Sequence, residues 1–186
     1  MKTTFIFAAF MILAVLSPSI EAQDAVFFEG TGNHYQFFTA NATWEEAEIL
    51  ATTQVLFGVE GHLATLTSEE ENQFLLDTFG GASGWIGLFQ EPGSPEPDGG
   101  FGWVTGEEFL FTAWNGSEPN NSGGNEQFVE FFNGRWNDLS PTSNRRYYVE
   151  FETSAVPEPN ASAILLLALA FPFVTRYRSR AATIAA

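Results

Sequence analysis

The feature that most restricts the possible folds of this chain is a short, glycine-interrupted span that is rich in side-chain oxygen atoms. Its carboxylate and amide side chains are Glu118, Asn120, Glu126, Asn137 and Asp138. Oxygen ligands of this kind suit a hard cation such as Ca2+. Because they fall in separate segments, a fold that uses them must bring those segments together. Pro119 favours an extended or turn conformation for the residue before it, and a Glu-Pro bond can be cis in a tight turn.

The sequence also predicts how the separate segments meet. Residues 127–132 and 147–151 run apolar or alternate, as strands of a small antiparallel sheet do. Asn133-Gly134 is a hairpin-turn signal. We therefore expect a hairpin that carries the two later ligand candidates to the earlier ones.

Further motifs extend this pattern over most of the chain. The motifs are Thr43-Trp44-Glu45-Glu46-Ala47, Gly61-His62-Leu63-Ala64-Thr65-Leu66, Trp85-Ile86-Gly87-Leu88, Glu118-Pro119-Asn120, Trp136-Asn137-Asp138 and Tyr148-Val149-Glu150. With these motifs in family order and at family spacing, residues 27–152 resemble the C-type lectin domain. Six motifs together are a far stronger indication of this fold than one motif alone.

The resemblance implies an α+β, C-type lectin-like fold, in which two helices flank small antiparallel sheets and a long loop carries the calcium site. The ligands that it implies for one Ca2+ are Glu118, Asn120, Glu126, Asn137 and Asp138. In the family the same side chains also hold two neighbouring hydroxyls of a sugar. The Glu-Pro-Asn motif is associated with mannose-, glucose-, fucose- or N-acetylglucosamine-type sugars, and Gln-Pro-Asp with galactose. The number of calcium sites stays open, because Glu96 and Asp98 in the loop 90–102 can contribute to a second one.

The chain departs from the family in having no cysteine. The residues near the four usual cysteine positions are Ala51, Phe128, Pro141 and Val149. Loss of a native disulfide typically costs about 2–5 kcal/mol. We expect the apolar replacements to offset part of this cost by packing in a core that is rich in phenylalanine.

Two helices are predicted from capping patterns. Thr43 and Glu46 form a capping box, followed by apolar residues at helical spacing. Ser68 and Glu71 form a second box, and Gly80-Gly81 ends that helix. The run 69–71 is interpreted as a solvated first turn that the helix dipole favours, not as a metal site.

Three other residues that invite a functional interpretation are assigned structural roles. Trp85 belongs to a central strand and is expected in the core. His34 lies in the first strand, predicted within 26–39, where a lone histidine is usually structural. His62 lies in the turn after the first helix and is expected to form a hydrogen bond with the backbone.

The ends of the chain are interpreted as targeting segments. Residues 1–22 have the pattern of a signal peptide, with a basic residue, a short apolar run and a small residue at the end; a membrane anchor is the alternative. Residues 153–186 contain a linker, the motif Val156-Pro157-Glu158-Pro159, an apolar transmembrane segment over 161–174 and a basic end. This order is similar to the PEP-CTERM sorting signal of Gram-negative bacteria, which an exosortase processes. The alternative is a C-terminal anchor that stays unprocessed.

Charge excludes some partners. Residues 23–152, the expected C-type lectin-like domain, contain 21 acidic and three basic residues, a net charge of −18. Such a surface repels nucleic acid and anionic lipid and attracts cations. Adaptation to salty surroundings explains the charge equally well, so charge alone identifies no site.

Together these observations favour a calcium-dependent carbohydrate-binding protein, secreted or on the cell surface of a Gram-negative bacterium, whose partner is a carbohydrate or exopolysaccharide. The alternative is a structural or adhesive surface protein of the exopolysaccharide matrix, in which Ca2+ only orders the loop or another face binds protein. An enzyme, such as a glycosidase that uses Glu118 and Asp138 as its carboxylate pair, is not expected. Those carboxylates are already assigned to a metal.

Overall fold

The computed structural model describes residues 22–153. These residues form an α+β fold of two α-helices, one short 3-10 helix (Ser122–Gly124) and ten strands. The helices are α1 (Trp44–Thr52) and α2 (Glu69–Phe79). The strands are β1 (Val26–Phe28), β2 (Asn33–Ala42), β3 (Val55–Leu56), β4 (Val59–Glu60), β5 (His62–Leu63), β6 (Gly84–Gln90), β7 (Phe101–Trp103), β8 (Phe128–Phe132), β9 (Arg135–Leu139) and β10 (Arg145–Phe151). The predicted fold class is confirmed.

The main sheet has the order β1-β2-β10-β6-β8-β9, with β5 pairing with β10 and β7 pairing with β6. The pair β10–β6 is parallel, whereas β2–β10, β6–β8 and β8–β9 are antiparallel. The last strand, β10, therefore lies in the interior of the sheet, beside the first long strand. Strand β9, which carries two predicted ligands, ends the sheet on the opposite side from β1.

Helix α1 begins as its sequence predicts. Thr43 Oγ1 accepts a hydrogen bond from the Glu46 backbone N–H at 3.3 Å, and the Glu46 carboxylate accepts one from the Thr43 N–H at 3.0 Å. This reciprocal capping box satisfies two backbone donors that a helix start otherwise leaves free. Helix α2 ends at Gly80, whose φ of 69° is the left-handed conformation that glycine adopts without a steric cost.

The start of α2 differs from the prediction, because Glu71 is buried and not part of a solvated turn. Ser68 Oγ accepts the predicted hydrogen bond from the Glu71 N–H at 3.2 Å. The Glu71 carboxylate, however, turns inward and accepts hydrogen bonds from the Tyr35 hydroxyl at 2.5 Å and the Thr67 N–H at 2.7 Å. The second half of the expected capping box is thus replaced by a buried polar contact. Glu69 and Glu70 are exposed, as predicted.

The core consists of two apolar clusters on the main sheet. One joins β2, α2, β6, β8 and β9, and the other joins α1, β5, β6 and β10. Trp85 is fully buried in the second cluster, as predicted. The same cluster contains Ala51 and Val149, two of the residues near the usual cysteine positions. Phe128, a third one, stacks on Trp44 with ring centroids 4.5 Å apart, so packing replaces cross-links at three of these four positions.

Gly61 is required by this packing between α1 and β10. A Cβ atom at this position would lie 2.5 Å from Val149 Cγ1 and 3.1 Å from the Ala51 carbonyl oxygen. We expect Gly61→Ala to lower the free energy of unfolding by about 2 kcal/mol, since added atoms in a packed core force neighbours to shift. Chemical denaturation measures this. Gly102→Ala is the matched control, because its Cβ would meet nothing within 4 Å; equal stability of both variants would contradict the packing argument.

Both histidines have the structural contacts expected from the sequence. His34 Nδ1 forms a 2.7 Å hydrogen bond with Thr153 Oγ1. His62 Nδ1 lies 2.9 Å from the Leu63 carbonyl oxygen, which assigns the proton to Nδ1. The structure corrects both positions: the predicted first strand over 26–39 is two strands, with His34 in β2, and His62 lies in β5 and not in a turn.

The predicted signal peptide, sorting motif and apolar C-terminal run lie almost entirely outside the described residues. Within residues 22–153, neither helix has the length and apolar character needed to cross a bilayer.

Candidate functional site

The hairpin formed by β8 and β9 positions the later ligand candidates. Asn133 and Gly134 at its turn have φ values of 55° and 78°, as the Asn-Gly signal predicts. In the hairpin register, Asn137 is opposite Glu130 and Asp138 is opposite Val129. Successive side chains of a strand point to opposite faces, so the two neighbouring ligand candidates leave β9 on different sides.

Asp138 holds the loop that carries the earlier candidates. Its side chain is fully buried. Oδ1 accepts a hydrogen bond from the Asn120 N–H at 3.1 Å, and Oδ2 accepts one from the Asn121 N–H at 2.8 Å. Hydrogen bonds from backbone amides to a carboxylate are charge-assisted and strong. The convergence of the Glu-Pro-Asn segment with β9 is therefore a direct contact.

The segment that precedes this loop is hydrogen-bonded to β9. The Trp136 N–H donates to the Ala113 carbonyl oxygen, and the Asn115 N–H donates to the Trp136 carbonyl oxygen, both at 2.9 Å. The ring of Trp136 is fully buried, and its Nε1–H donates to Asn72 on α2 at 2.9 Å. The peptide bond between Glu118 and its proline is cis. The tryptophan thus anchors the segment just before the ligand candidates begin.

Asn121 shapes the rest of the loop. Its φ of 47° is left-handed, a conformation that asparagine tolerates better than most residues. Asn121 Oδ1 accepts a hydrogen bond from the Glu126 N–H at 3.0 Å, and the Ser122 N–H donates to Glu126 Oε2. These contacts turn Glu126 back toward the Glu-Pro-Asn segment.

Negative charge accumulates where these side chains meet. Burial, followed by the charge of Asp138, raises the pKa of Glu118. Burial also raises the pKa of Glu126, and the charge of Asp138 adds to it. Glu118 Oε2 is buried and has no donor within hydrogen-bond distance among the described residues, and the neighbouring Asp138 carboxylate is a partner only when one of the two is protonated. An orphaned carboxylate oxygen beside two further carboxylates is a position that a cation would stabilise.

Asn137 contacts a carboxylate that lies outside this group. Its Nδ2 donates to Glu130 Oε1 at 3.3 Å, and Arg145 Nε donates to Glu130 Oε2 at 2.7 Å. The described contacts and charges therefore join Glu118, Glu126 and Asp138 with the backbone of the Glu-Pro-Asn loop, and they place the Asn137 amide nitrogen against a different carboxylate.

The residues present fit a calcium ion by their chemistry. They offer carboxylate and amide oxygens without histidine or sulfur, and one of the oxygens is buried without a donor. In the described part of the chain, no three His, Cys, Asp or Glu side chains already stand in a ready metal-binding group. A complete shell would therefore need the amide oxygens of Asn120 and Asn137.

The second calcium site stays a prediction. Glu96 Oε2 accepts a hydrogen bond from Gln90 Nε2 at 3.3 Å, and Asp98 is exposed on the loop between β6 and β7. Within residues 22–153, neither carboxylate interacts with the group formed by Glu118, Glu126 and Asp138.

Two contributors to the site escaped the sequence analysis. Asn121 supplies both a backbone donor to Asp138 and a side-chain acceptor to Glu126. An asparagine in a glycine-rich loop is the sequence signal for such a left-handed turn. Glu130 contacts Asn137, but an acidic residue within an apolar strand is a weak signal without the pairing register.

The chain is similar in sequence and in fold to known proteins. Residues 41–149 match the Lectin C-type domain. Halomucin of Haloquadratum walsbyi is 36% identical over 106 residues, which are 57% of this chain and 1% of halomucin. The alpha-N-acetylgalactosamine-specific lectin of Patiria pectinifera is 32% identical over 136 residues and covers 66% of this chain and 76% of that lectin. The crystal structure of the C-type lectin CEL-I from Cucumaria echinata is similar with a TM-score of 0.56 and 26% identity, covering 64% of this chain and 89% of CEL-I.

Proposed function

The chain belongs to the C-type lectin domain family, and from that premise we propose that it binds a carbohydrate through a calcium ion. Its homologues are carbohydrate-binding lectins, the family generally binds Ca2+, and its members are generally binding proteins and not enzymes. The observation that carries the proposal is the orphaned, buried Glu118 Oε2 beside Glu126 and Asp138. Such an unpaired carboxylate is costly in its charged form, and a bound cation would offset that cost.

The residues that would hold the ion are Glu118, Asn120, Glu126, Asn137 and Asp138. When bound, Ca2+ supplies positive charge and open coordination positions that neighbouring sugar hydroxyls can take. The chain's own part is to hold the loop in register with β9, which Asp138 does through the Asn120 and Asn121 amides. Carboxylates accept hydrogen bonds, and amides both donate and accept them. The order of these groups around the ion therefore selects the orientation of the hydroxyls.

The sugar class follows from the Glu-Pro-Asn motif. We propose mannose- or glucose-type ligands, because this arrangement, with a carboxylate at 118 and an amide at 120, is the one associated with them in the family. A single sugar held through two hydroxyls is expected to bind weakly, with a Kd on the order of millimolar, or about −4 kcal/mol. Display of many copies against a repetitive exopolysaccharide would raise the avidity by about 100-fold or more.

Calcium removal is the direct test of this function. The purified full chain is expected to bind immobilised mannan in millimolar calcium and to lose that binding in a chelator, with recovery when calcium is restored. Free mannose should compete, and free galactose should compete less. Equal retention on mannan with and without the chelator would contradict a calcium-dependent mode of binding.

Replacing Asn120 with Asp tests which side chain contacts the sugar. Asp138 binds the backbone N–H at this position, so the loop should keep its place while the side chain loses its donor. We expect mannan retention to fall about ten-fold, since an unpaired polar group at the ligand costs about 1–3 kcal/mol. The matched control is Asn41→Asp, which makes the same change at an exposed position on β2. If both variants bind mannan like the original chain, the sugar is held elsewhere.

Delivery to the outside is part of the proposal. We propose that residues 1–22 direct secretion and that residues 153–186 act as a sorting segment processed by an exosortase at the surface of a Gram-negative bacterium. The apolar run lies before a basic end, and positive charge favours the cytoplasmic side of a membrane. This order supports an orientation with the C-terminal end in the cytoplasm and the lectin-like domain outside. Secretion in a chain without cysteine agrees with a core that is stabilised by packing.

A further inference from the structure

Glu130 is a buried carboxylate that the proposed calcium shell does not include. It is 7% exposed and has three side-chain donors. Ser83 Oγ and Arg145 Nε donate to its Oε2 at 2.5 and 2.7 Å, and Asn137 Nδ2 donates to its Oε1 at 3.3 Å. A carboxylate served by this many donors is held in one position and remains a hydrogen-bond acceptor.

The hairpin register places Glu130 directly across from Asn137. Side chains opposite each other on antiparallel strands share a face, with Cβ atoms roughly 5 Å apart. An ionised carboxylate paired with a guanidinium has no proton to donate, so the Asn137 amide must present its NH2 group to Glu130. The amide oxygen is then turned away from Glu130, and its orientation is decided before any ligand arrives.

We propose that Glu130, held by Arg145 and Ser83, is a positioning residue of the calcium site that fixes the Asn137 amide with its oxygen available to the ion. The inference rests on the proposed function, because it assigns Asn137 as a ligand. Its physical basis is general: partners behind a metal ligand fix its orientation, and their loss typically costs 10–100-fold in metal affinity. Arg145 also balances the buried charge of Glu130, so the device adds no uncompensated charge next to the site.

A double-mutant cycle separates positioning from a simple charge effect. Calorimetric calcium titrations are made on the full chain with Glu130→Gln, Asn137→Ala and both changes together. We expect Glu130→Gln to weaken calcium binding about ten-fold, and to leave it unchanged within about two-fold in the Asn137→Ala background. An equal loss in both backgrounds would show that Glu130 acts by its charge alone and would overturn the proposal. Glu45→Gln, at an exposed carboxylate on α1, controls for the loss of one negative charge.

A reciprocal exchange tests the hydrogen bond without calcium. Asn137→Asp places two carboxylates in contact, and Glu130→Gln removes the partner of Arg145, so each single change should lower the thermal midpoint in a chelator. In the double variant Glu130→Gln/Asn137→Asp, the glutamine can donate to the aspartate, and we expect most of the lost midpoint to return. If the thermal midpoint of the double variant is lowered by the sum of the two single decreases, these side chains do not act on each other. That result would overturn the proposal.

The outcomes distinguish a failure of the positioning role from a failure of the proposed function. If the full chain binds no calcium, the function is wrong, and the exchange experiment still reports whether Glu130 orients Asn137. If calcium binds tightly and Glu130→Gln leaves its affinity unchanged, the function stands and the positioning role is wrong.

Discussion

Replacing Asp138 with Asn is expected to weaken calcium binding by about 100-fold or more and to abolish retention on mannan. The carboxylate has two roles. It contributes charge beside Glu118 and Glu126, whose pKa values it raises, and it accepts the backbone amides of Asn120 and Asn121. An asparagine keeps the shape of the side chain, but it removes the charge and turns an NH2 group toward one of the amide donors. Calorimetric calcium titration of the full chain measures the effect.

The loss must be distinguished from unfolding. We expect Asp138→Asn to lower the free energy of unfolding in a chelator by about 1–3 kcal/mol, the cost of leaving a buried donor without its acceptor, so the variant should remain folded at room temperature. Near-ultraviolet circular dichroism in the chelator checks this. Asp77→Asn on α2 removes an equal charge at an exposed position and should bind calcium normally. Calcium affinity within a few-fold of the original in Asp138→Asn would exclude this residue from the site.

Much of the fold follows from local chemistry in the sequence. The start of α1 is fixed by two reciprocal hydrogen bonds between Thr43 and Glu46. The β8–β9 turn is fixed by Asn-Gly, because both residues can adopt the left-handed conformation that the turn requires. Such signals need only a few neighbouring residues, so a single sequence reveals them. The convergence of the Glu-Pro-Asn segment with Asp138 was expected from the hairpin and the family resemblance, and the structure adds the backbone amides as the atoms that join them.

What the sequence could not provide is the partner of a polar side chain that faces inward. Glu71 has the spacing of a capping-box residue, and nothing local distinguishes a carboxylate that returns to the helix start from one that points into the core. The Tyr35 hydroxyl on β2 donates a hydrogen bond to the Glu71 carboxylate and so holds it in the core. Glu130 is similar, because its role depends on the register with β9. Tyr35 is distant from Glu71 in sequence, and the contact between Glu130 and Asn137 depends on the exact pairing of two strands.

Glu71 leads to the second large effect, a loss of stability as the pH rises. The Tyr35 hydroxyl lies between two buried carboxylates, 2.5 Å from Glu71 Oε1 and 2.9 Å from Glu150 Oε1. One hydroxyl has a single proton, so it can donate to only one of them. Thr65 and Thr67 supply the donors to the remaining carboxylate oxygens, and Asn33 Nδ2 also donates to Glu150 Oε1 at 2.8 Å. A second proton, on Glu71, would complete the chain of hydrogen bonds from Glu71 through Tyr35 to Glu150.

The electrostatics of this cluster agree with that arrangement. Burial is the main cause that raises the pKa of Glu71 to about 7, and the charge of Glu150 adds to it, while hydrogen bonds from Tyr35 and Thr67 oppose the rise. The ordinary value is 4.5. Below about pH 4.5 both folded and unfolded chains carry the proton. Between about pH 4.5 and 7 the folded chain keeps a proton that the unfolded chain releases, so the free energy of unfolding falls as the pH rises. The total loss from this group is about 3 kcal/mol.

Glu71→Gln should remove this part of the pH dependence. The glutamine amide can donate to Tyr35 and accept from Thr67, as the protonated acid does, without ever becoming charged. We expect the variant to match the original chain near pH 4 and to exceed its free energy of unfolding by up to about 3 kcal/mol at pH 8. Urea denaturation of the full chain at a series of pH values, in a chelator, measures the difference. Taking the difference between the two proteins cancels the contribution of every group that they share.

The neighbouring carboxylate is the matched control. Glu70 lies in the same first turn of α2 and is exposed, so Glu70→Gln loses the same charge near the same helix start. Because a surface carboxylate has nearly the same environment in the folded and unfolded chains, this variant should follow the original pH profile within about 0.5 kcal/mol. Parallel profiles for the original chain and Glu71→Gln would mean that Glu71 is ionised in the folded protein throughout this range. The Tyr35 hydroxyl would then donate to Glu71 alone, and Glu150 Oε1 would keep the hydrogen bond that Asn33 Nδ2 donates to it at 2.8 Å.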